Sequence, residues 1–189
     1  MSIDRAPWEG LAPVDPYPYE ETHDLRSGPD LHPRLLGLLP FVGVWRGRGR
    51  GGYPDIEDFT YAQEIRFSHD GRPFLFYEAR AWILGDDDKP VRPAGREVGW
   101  WRPVGETDEV ELLLSHPTGI QELYYGKVEG TKVEVATDAV LRSPTAKEVA
   151  AGQRLYGIVD RALLYAYDMA AMGHPLQSHM SARLERVAG

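Results

Sequence analysis

From Gly43 to Gly51 the odd positions are glycine except for Trp45, and the even positions are Val44, Arg46, Arg48 and Arg50. In an extended strand, alternate side chains point to opposite faces, so this segment has one large anchor on an otherwise bare face and three arginines on the other. Glycine weakens a strand through lost packing and added chain entropy. Its repetition on one face therefore predicts tight curvature, or the close approach of another backbone or a ligand. Tyr53-Pro54 ends the run. The competing reading is an arginine-glycine arm for nucleic acid. Such arms bind phosphate through charge, whereas this chain carries a formal net charge of -8, and alternation puts the arginines where a solvated outer face needs them. Nucleic acid is not an expected partner.

A chain of 189 residues is long enough for one domain with a sizeable core or an enclosed cavity. No apolar run approaches the roughly 20 residues needed to cross a bilayer, and the N-terminal residues lack the basic and apolar regions of a signal peptide. A cytoplasmic protein without a membrane partner is expected. The absence of cysteine excludes disulfides, thiolate catalysis and cysteine-ligated zinc or iron–sulfur clusters. A metal would have to be held by histidine or carboxylate.

Residues 1–30 hold Pro7, Pro13, Pro16, Pro18 and Pro29 among acidic and aromatic residues without a helical or strand period. They read as an extended tail, poorly ordered unless Trp8, Tyr17 and Tyr19 pack on the domain or on a second copy in a homodimer. Residues 31–189 read as the folded domain. Leu31, Leu35, Leu36, Leu38 and Leu39, closed by Pro40, predict a short apolar helix capping one barrel end. From Trp45 onward, ten β-rich runs follow at about 45–52, 59–69, 74–84, 97–102, 110–116, 120–128, 132–140, 153–159, 163–169 and 179–187. Asp70-Gly71, Asp86-Asp87-Asp88, Pro117-Thr118-Gly119 and Glu129-Gly130 supply turns between neighbours. Without crossover helices a parallel sheet is excluded, leaving an all-β, ten-stranded antiparallel up-and-down β-barrel. Thr145-Ala146-Lys147-Glu148 fits either a helix capping box or a strand bent at Ser143-Pro144.

Six histidines form the available ligand class. His23 and His32 read as solvated, and His69 beside Asp70-Gly71 as a turn-flanking surface residue. His116 before Pro117 reads as satisfied by a hydrogen bond across its turn. His174 and His179 have no recognised zinc spacing. Alternation groups His179 with Ser181 and Arg183, away from Met180, Ala182 and Leu184, which alone indicates a solvent face. In a ligand-enclosing barrel the polar face can instead be the cavity face, so periodicity does not decide the matter. Serine nucleophile elbows, phosphate loops and calcium loops are absent. Trp82, Trp100 and Trp101 read as core or rim packing.

The run from Gly43 to Gly49, followed by Tyr53-Pro54, resembles the GxWxGxG marker of the nitrobindin family. The likeness continues through Gly71-Arg72-Pro73-Phe74-Leu75, Leu114-Ser115-His116-Pro117-Thr118-Gly119-Ile120, Pro144 to Val149 and Pro175-Leu176-Gln177-Ser178-His179-Met180-Ser181-Ala182. It implies a barrel related in shape to fatty-acid-binding proteins and lipocalins, with heme b at its mouth. His179 would be the proximal ligand of ferric heme iron and hence the catalytic residue, and Lys147 a cation for a heme propionate. The implied activity is isomerisation of peroxynitrite to nitrate, with nitric oxide as a further ligand. Two departures stand out. Asp55 occupies the cofactor-binding position where the family often has a heme-contacting threonine, and Gly95 the position where many members have a distal histidine. A lipid or small-molecule carrier, and a non-catalytic heme-based nitric oxide sensor, are the rival readings.

Overall fold

A computed structural model describes residue 6 and residues 8–189. Ten antiparallel strands form a closed barrel: β1 (Gly43–Tyr53), β2 (Ile56–Ser68), β3 (Leu75–Leu84), β4 (Pro90–Pro103), β5 (Glu109–His116), β6 (Ile120–Glu129), β7 (Lys132–Arg142), β8 (Val149–Val159), β9 (Ala162–Ala171) and β10 (Gln177–Ala188). Each strand pairs with its neighbours in sequence, and β10 closes onto β1. Closure removes the unpaired strand edges that an open sheet would expose. No helix among the described residues is long and apolar enough to cross a membrane.

The bare face of β1 points inward, with Trp45 fully buried and its indole N–H donating to the Phe41 carbonyl at 2.8 Å. A methyl group on Gly47 would overlap the Arg183 carbonyl oxygen, and one on Gly49 would overlap the Ser181 carbonyl oxygen. These two glycines let β1 bend against β10, which is the curvature that the alternation predicts.

Two elements differ from expectation. β4 begins at Pro90, well before residue 97, and its two proline partners coincide with register shifts opposite Arg80/Trp82 and Ile83/Leu84, where proline's missing N–H is tolerated. Residues 145–148 form no helix. The Ala146 N–H donates to the Ser143 carbonyl in a turn, β7 ends at Arg142 and β8 starts at Val149, so this segment is a turn linking the two strands and neither the helix nor the bent strand forms. A four-residue capping signal cannot offset the cost of helix nucleation without an apolar periodic run behind it.

A 3-10 helix, Pro33–Phe41, closes one end with Leu35, Leu38 and Phe41 buried. Phe67, Trp101 and Tyr77 pack around Phe41 to form an aromatic core. Of residues 1–30, residues 1–5 and Pro7 lie outside the described residues. Thr22 makes a single β-bridge with His69, while Trp8, Tyr17 and Tyr19 are exposed. His69 is buried beneath this bridge, 2% exposed, and is therefore not the surface residue that its turn-flanking position predicts.

Above the aromatic core lies a belt of buried charge. Arg154, 1% exposed, donates to Glu97 Oε1 at 2.8 Å, to Glu122 Oε2 at 3.1 Å and, through Nε, to the Tyr124 hydroxyl at 2.9 Å. The Tyr77 hydroxyl donates to Glu97 and that of Tyr124 to Glu122, at 2.8 and 2.9 Å. His116 Nε2 reaches Glu122 Oε2 across the β5–β6 hairpin at 2.8 Å, the cross-turn bond expected for it. Burial raises the Glu122 pKa, but the Arg154 charge and the bonds from His116 and Tyr124 outweigh it and bring the carboxyl down to about 2. A carboxylate with a depressed folded-state pKa stabilises the fold above its unfolded value, near 4.3, and loses that contribution as pH falls through the folded value.

Acid unfolding of the parent is accordingly expected to deepen between about pH 4.3 and pH 2. Glu122→Gln should lower stability at neutral pH by about 3–5 kcal/mol, because it leaves Arg154 short of a buried counter-charge, and should flatten the profile in that acid window. Denaturant melts at stepped pH check both effects.

Candidate heme site

His179 lies at the start of β10, where pairing with β9 slips between Ser178 and Met180. Downstream the strand alternates strictly, with Ala182 and Leu184 buried and Ser181, Arg183 and Glu185 exposed. The bulge interrupts that parity and re-aims His179, as bulges do at barrel rims. His179 is half-buried and lines both cavities at the open end, of ≈ 730 and ≈ 830 Å³. Its Nδ1 is 3.0 Å from the Gly52 carbonyl oxygen, a pairing that requires the proton on Nδ1 and leaves Nε2 with its lone pair.

The rings of Tyr53, Phe59 and Tyr167 pack edge-on to the imidazole at centroid separations of 5.5, 6.4 and 5.7 Å. Burial lowers the His179 pKa, and the Gly52 bond only partly counters this, so the ring is neutral at pH 7. A neutral, orientationally fixed imidazole is the form that ligates a metal.

The larger cavity has Phe59, Ile83, Met169 and Met180 on its apolar wall, Lys147 at its rim, and Glu97, His116, Glu122 and Arg154 beneath. Lys147 is exposed and makes no ion pair among the described residues, so its ammonium is available to an anionic group at the mouth. Asp55 lies elsewhere: it is an exposed residue of the β1–β2 turn, its Oδ2 2.9 Å from His174 Nε2. His174 and His179 flank the Tyr53 ring with different partners, Asp55 and the Gly52 carbonyl. Gly95 lines the larger cavity, and a Cβ there would meet no atom within 4 Å.

These features fit a heme. The mixed wall and size match a small-molecule pocket, one neutral imidazole is available for axial ligation, and a free cation stands at the rim. Glu97, His116 and Glu122 also bring three ligand atoms within 4.8 Å of one another. That position is already occupied by the Arg154 guanidinium, bonded to both carboxylates, so it is a poor site for a metal cation.

Sequence reasoning missed Gln63, Glu97, Glu122 and Arg154. Strand parity held the signal, since each shares a face with large buried neighbours: Tyr61 and Ile65, Trp101, Tyr124, and Tyr156 respectively. A polar residue on an apolar face of this kind marks either a satisfied internal network or a ligand contact.

Comparison with known proteins agrees with this architecture. Residues 34–186 match the model of the THAP4-like, heme-binding beta-barrel domain. A Salinispora arenicola protein named peroxynitrite isomerase is 68% identical, covering 98% of this chain and 96% of its own. A Saccharopolyspora erythraea ferric nitrobindin-like protein is 47% identical, covering 89% of this chain and 81% of its own. The crystal structure of Rv2717c from M. tuberculosis superposes with a TM-score of 0.75 at 40% identity, covering 83% of this chain and 99% of that one. On its fold, its closed barrel and this match over most of its length, the chain belongs to the nitrobindin family of heme-binding β-barrel domains.

Proposed function

We propose that this protein binds ferric heme b through His179 and isomerises peroxynitrite to nitrate, with nitric oxide as a second ligand of the same site. The observation that carries the proposal is the neutral imidazole of His179, fixed through Nδ1 to Gly52 and with Nε2 free on the wall of the cavity. The names of the relatives, peroxynitrite isomerase and ferric nitrobindin-like protein, support the same activity.

When bound, ferric heme would supply a Lewis-acidic iron for peroxynitrite. The protein performs the rest. Gly52 holds the Nδ1 proton, which fixes the tautomer and the ring plane, and Tyr53, Phe59 and Tyr167 prevent the ring from turning. Phe59, Ile83, Met169 and Met180 exclude water from the cavity wall and confine reacting fragments. Lys147 would hold a porphyrin carboxylate at the rim. Asp55, tied to His174, lines neither cavity.

The carrier reading finds no support in the cavity. A fatty-acid carboxylate would need a free buried cation, and Arg154 is already bonded to Glu97 and Glu122. Desolvating a further anion beside those carboxylates is unfavourable.

In stopped-flow mixing, the ferric holoprotein is expected to accelerate peroxynitrite decay and raise the nitrate fraction, and the apoprotein to do neither. Gly95→His, placed in open space, should increase the rate further. Equal decay with holoprotein and apoprotein would leave a nitric oxide sensor as the better reading.

Lys147→Glu should release heme a few-fold faster without altering the iron ligand, since an exposed ion pair contributes about 0–1 kcal/mol. Transfer of heme to an excess of apomyoglobin measures this rate. Coincident rates for variant and parent would make Lys147 an ordinary surface residue.

A further inference from the structure

Gln63 is an anomaly of the cavity wall. It lies on β2 between Tyr61 and Ile65, is 4% exposed and lines the larger cavity. Its amide oxygen is sealed from solvent and has no hydrogen-bond partner, and its amide nitrogen has none in the described chain either. A buried amide left unpaired is destabilising, so its retention needs a reason.

The neighbouring positions show what such an amide could reach. Gln63 is opposite Gly47 on β1 and Ala81 on β3, so neither flanking strand places a bulky side chain beside it. Beyond Ala81 the β3–β4 register slips, and Gly95 lies opposite that slip with open space in front of it. The row running from Gln63 through Ala81 to Gly95 is therefore cleared of bulk, and Gln63 is its single hydrogen-bonding side chain.

The charged groups at the cavity floor are committed, whereas the exposed Arg92 donates only to the Pro93 carbonyl. Arg154 donates to Glu97, Glu122 and Tyr124, Arg96 to Glu78, and His116 is paired with Glu122, while Lys147 stands exposed at the rim. The belt below holds two carboxylates against one guanidinium, so it repels an anion rather than receiving one.

We infer that Gln63 is a specificity-determining residue of the site, its amide N–H donating a hydrogen bond to a small anion that enters the cavity. This rests on the heme reading above and names the group that recognises the anionic substrate there. Either end of an amide can be turned toward a ligand, and the NH2 end suits an oxyanion. A neutral diatomic ligand such as nitric oxide has little to gain from the same donor, so Gln63 discriminates by charge. It supplies, from β2, a donor that Gly95 cannot supply from β4.

The test compares parent, Gln63→Met and Gln63→Glu as full-length ferric holoproteins, titrated with azide and separately with nitric oxide and followed by the Soret shift. Gln63→Met keeps volume and removes the donor. Azide affinity should fall about tenfold or more in Gln63→Met, in line with loss of one hydrogen bond to a charged group, and further in Gln63→Glu, while nitric oxide affinity in Gln63→Met stays within about twofold. Without heme, Gln63→Met should melt at or above the parent temperature, because it removes an unpaired buried amide.

Unchanged azide affinity, equal weakening of azide and nitric oxide, or a lower melting temperature for heme-free Gln63→Met would each overturn the assignment. Failure of the parent to take up hemin would overturn the heme reading and this inference with it. Normal hemin uptake with unaltered azide binding in Gln63→Met would remove Gln63 alone.

Discussion

Arg154, buried between Glu97 and Glu122, divides the barrel into two halves with different physics. Below it, Trp45, Trp101, Phe41 and Phe67 are fully buried and pack as an ordinary core. Above it, the interior is a cavity. Two carboxylates and a guanidinium at mid-height, bonded to one another, put a polar floor under the cavity and separate it from the aromatic core. The guanidinium also lies over the Tyr167 ring at 4.4 Å, and that ring packs against His179. The position of the imidazole is thereby linked to a deeply buried charge.

Backbone irregularities do the rest of the positioning. Regular alternation would turn His179 outward with Ser181, and the slip between Ser178 and Met180 places it at the cavity instead. Glycines on the facing strand make room for the tight closure: a side chain on Gly51 would run into Phe59, one of the three rings that hold the imidazole. The Gly52 carbonyl then fixes the tautomer. Bend, bulge and hydrogen bond are local, yet each is needed for a neutral nitrogen to face the cavity.

The barrel was legible because closure repeats one simple pattern. Turn residues between short alternating runs gave the ten strands, and the bare face of β1 gave the sense of curvature. Strand ends were less legible where Pro90 and Pro93 hide a bulged extension of β4, and the Thr145 segment, whose two local solutions were helix and strand, forms a turn instead. For the site, motif resemblance pointed to His179 and Lys147, while alternation left His179 undecided, because a bulge has no strong sequence signature. Gln63, Glu97, Glu122 and Arg154 lay in plain view as polar residues on inward faces. Their pairing across strands distant in sequence, and the lack of any partner for Gln63, emerge only from the closed fold.

Axial ligation by His179 is the central claim, and resonance Raman scattering from the ferrous holoprotein tests it most directly. The parent is expected to give an iron–histidine stretching band that shifts on 15N labelling of histidine, is absent in His179→Gly, and returns without the isotope shift when unlabelled imidazole is added to labelled His179→Gly. Persistence of an isotope-sensitive band in His179→Gly before imidazole is added would assign the ligand to another histidine and contradict the account.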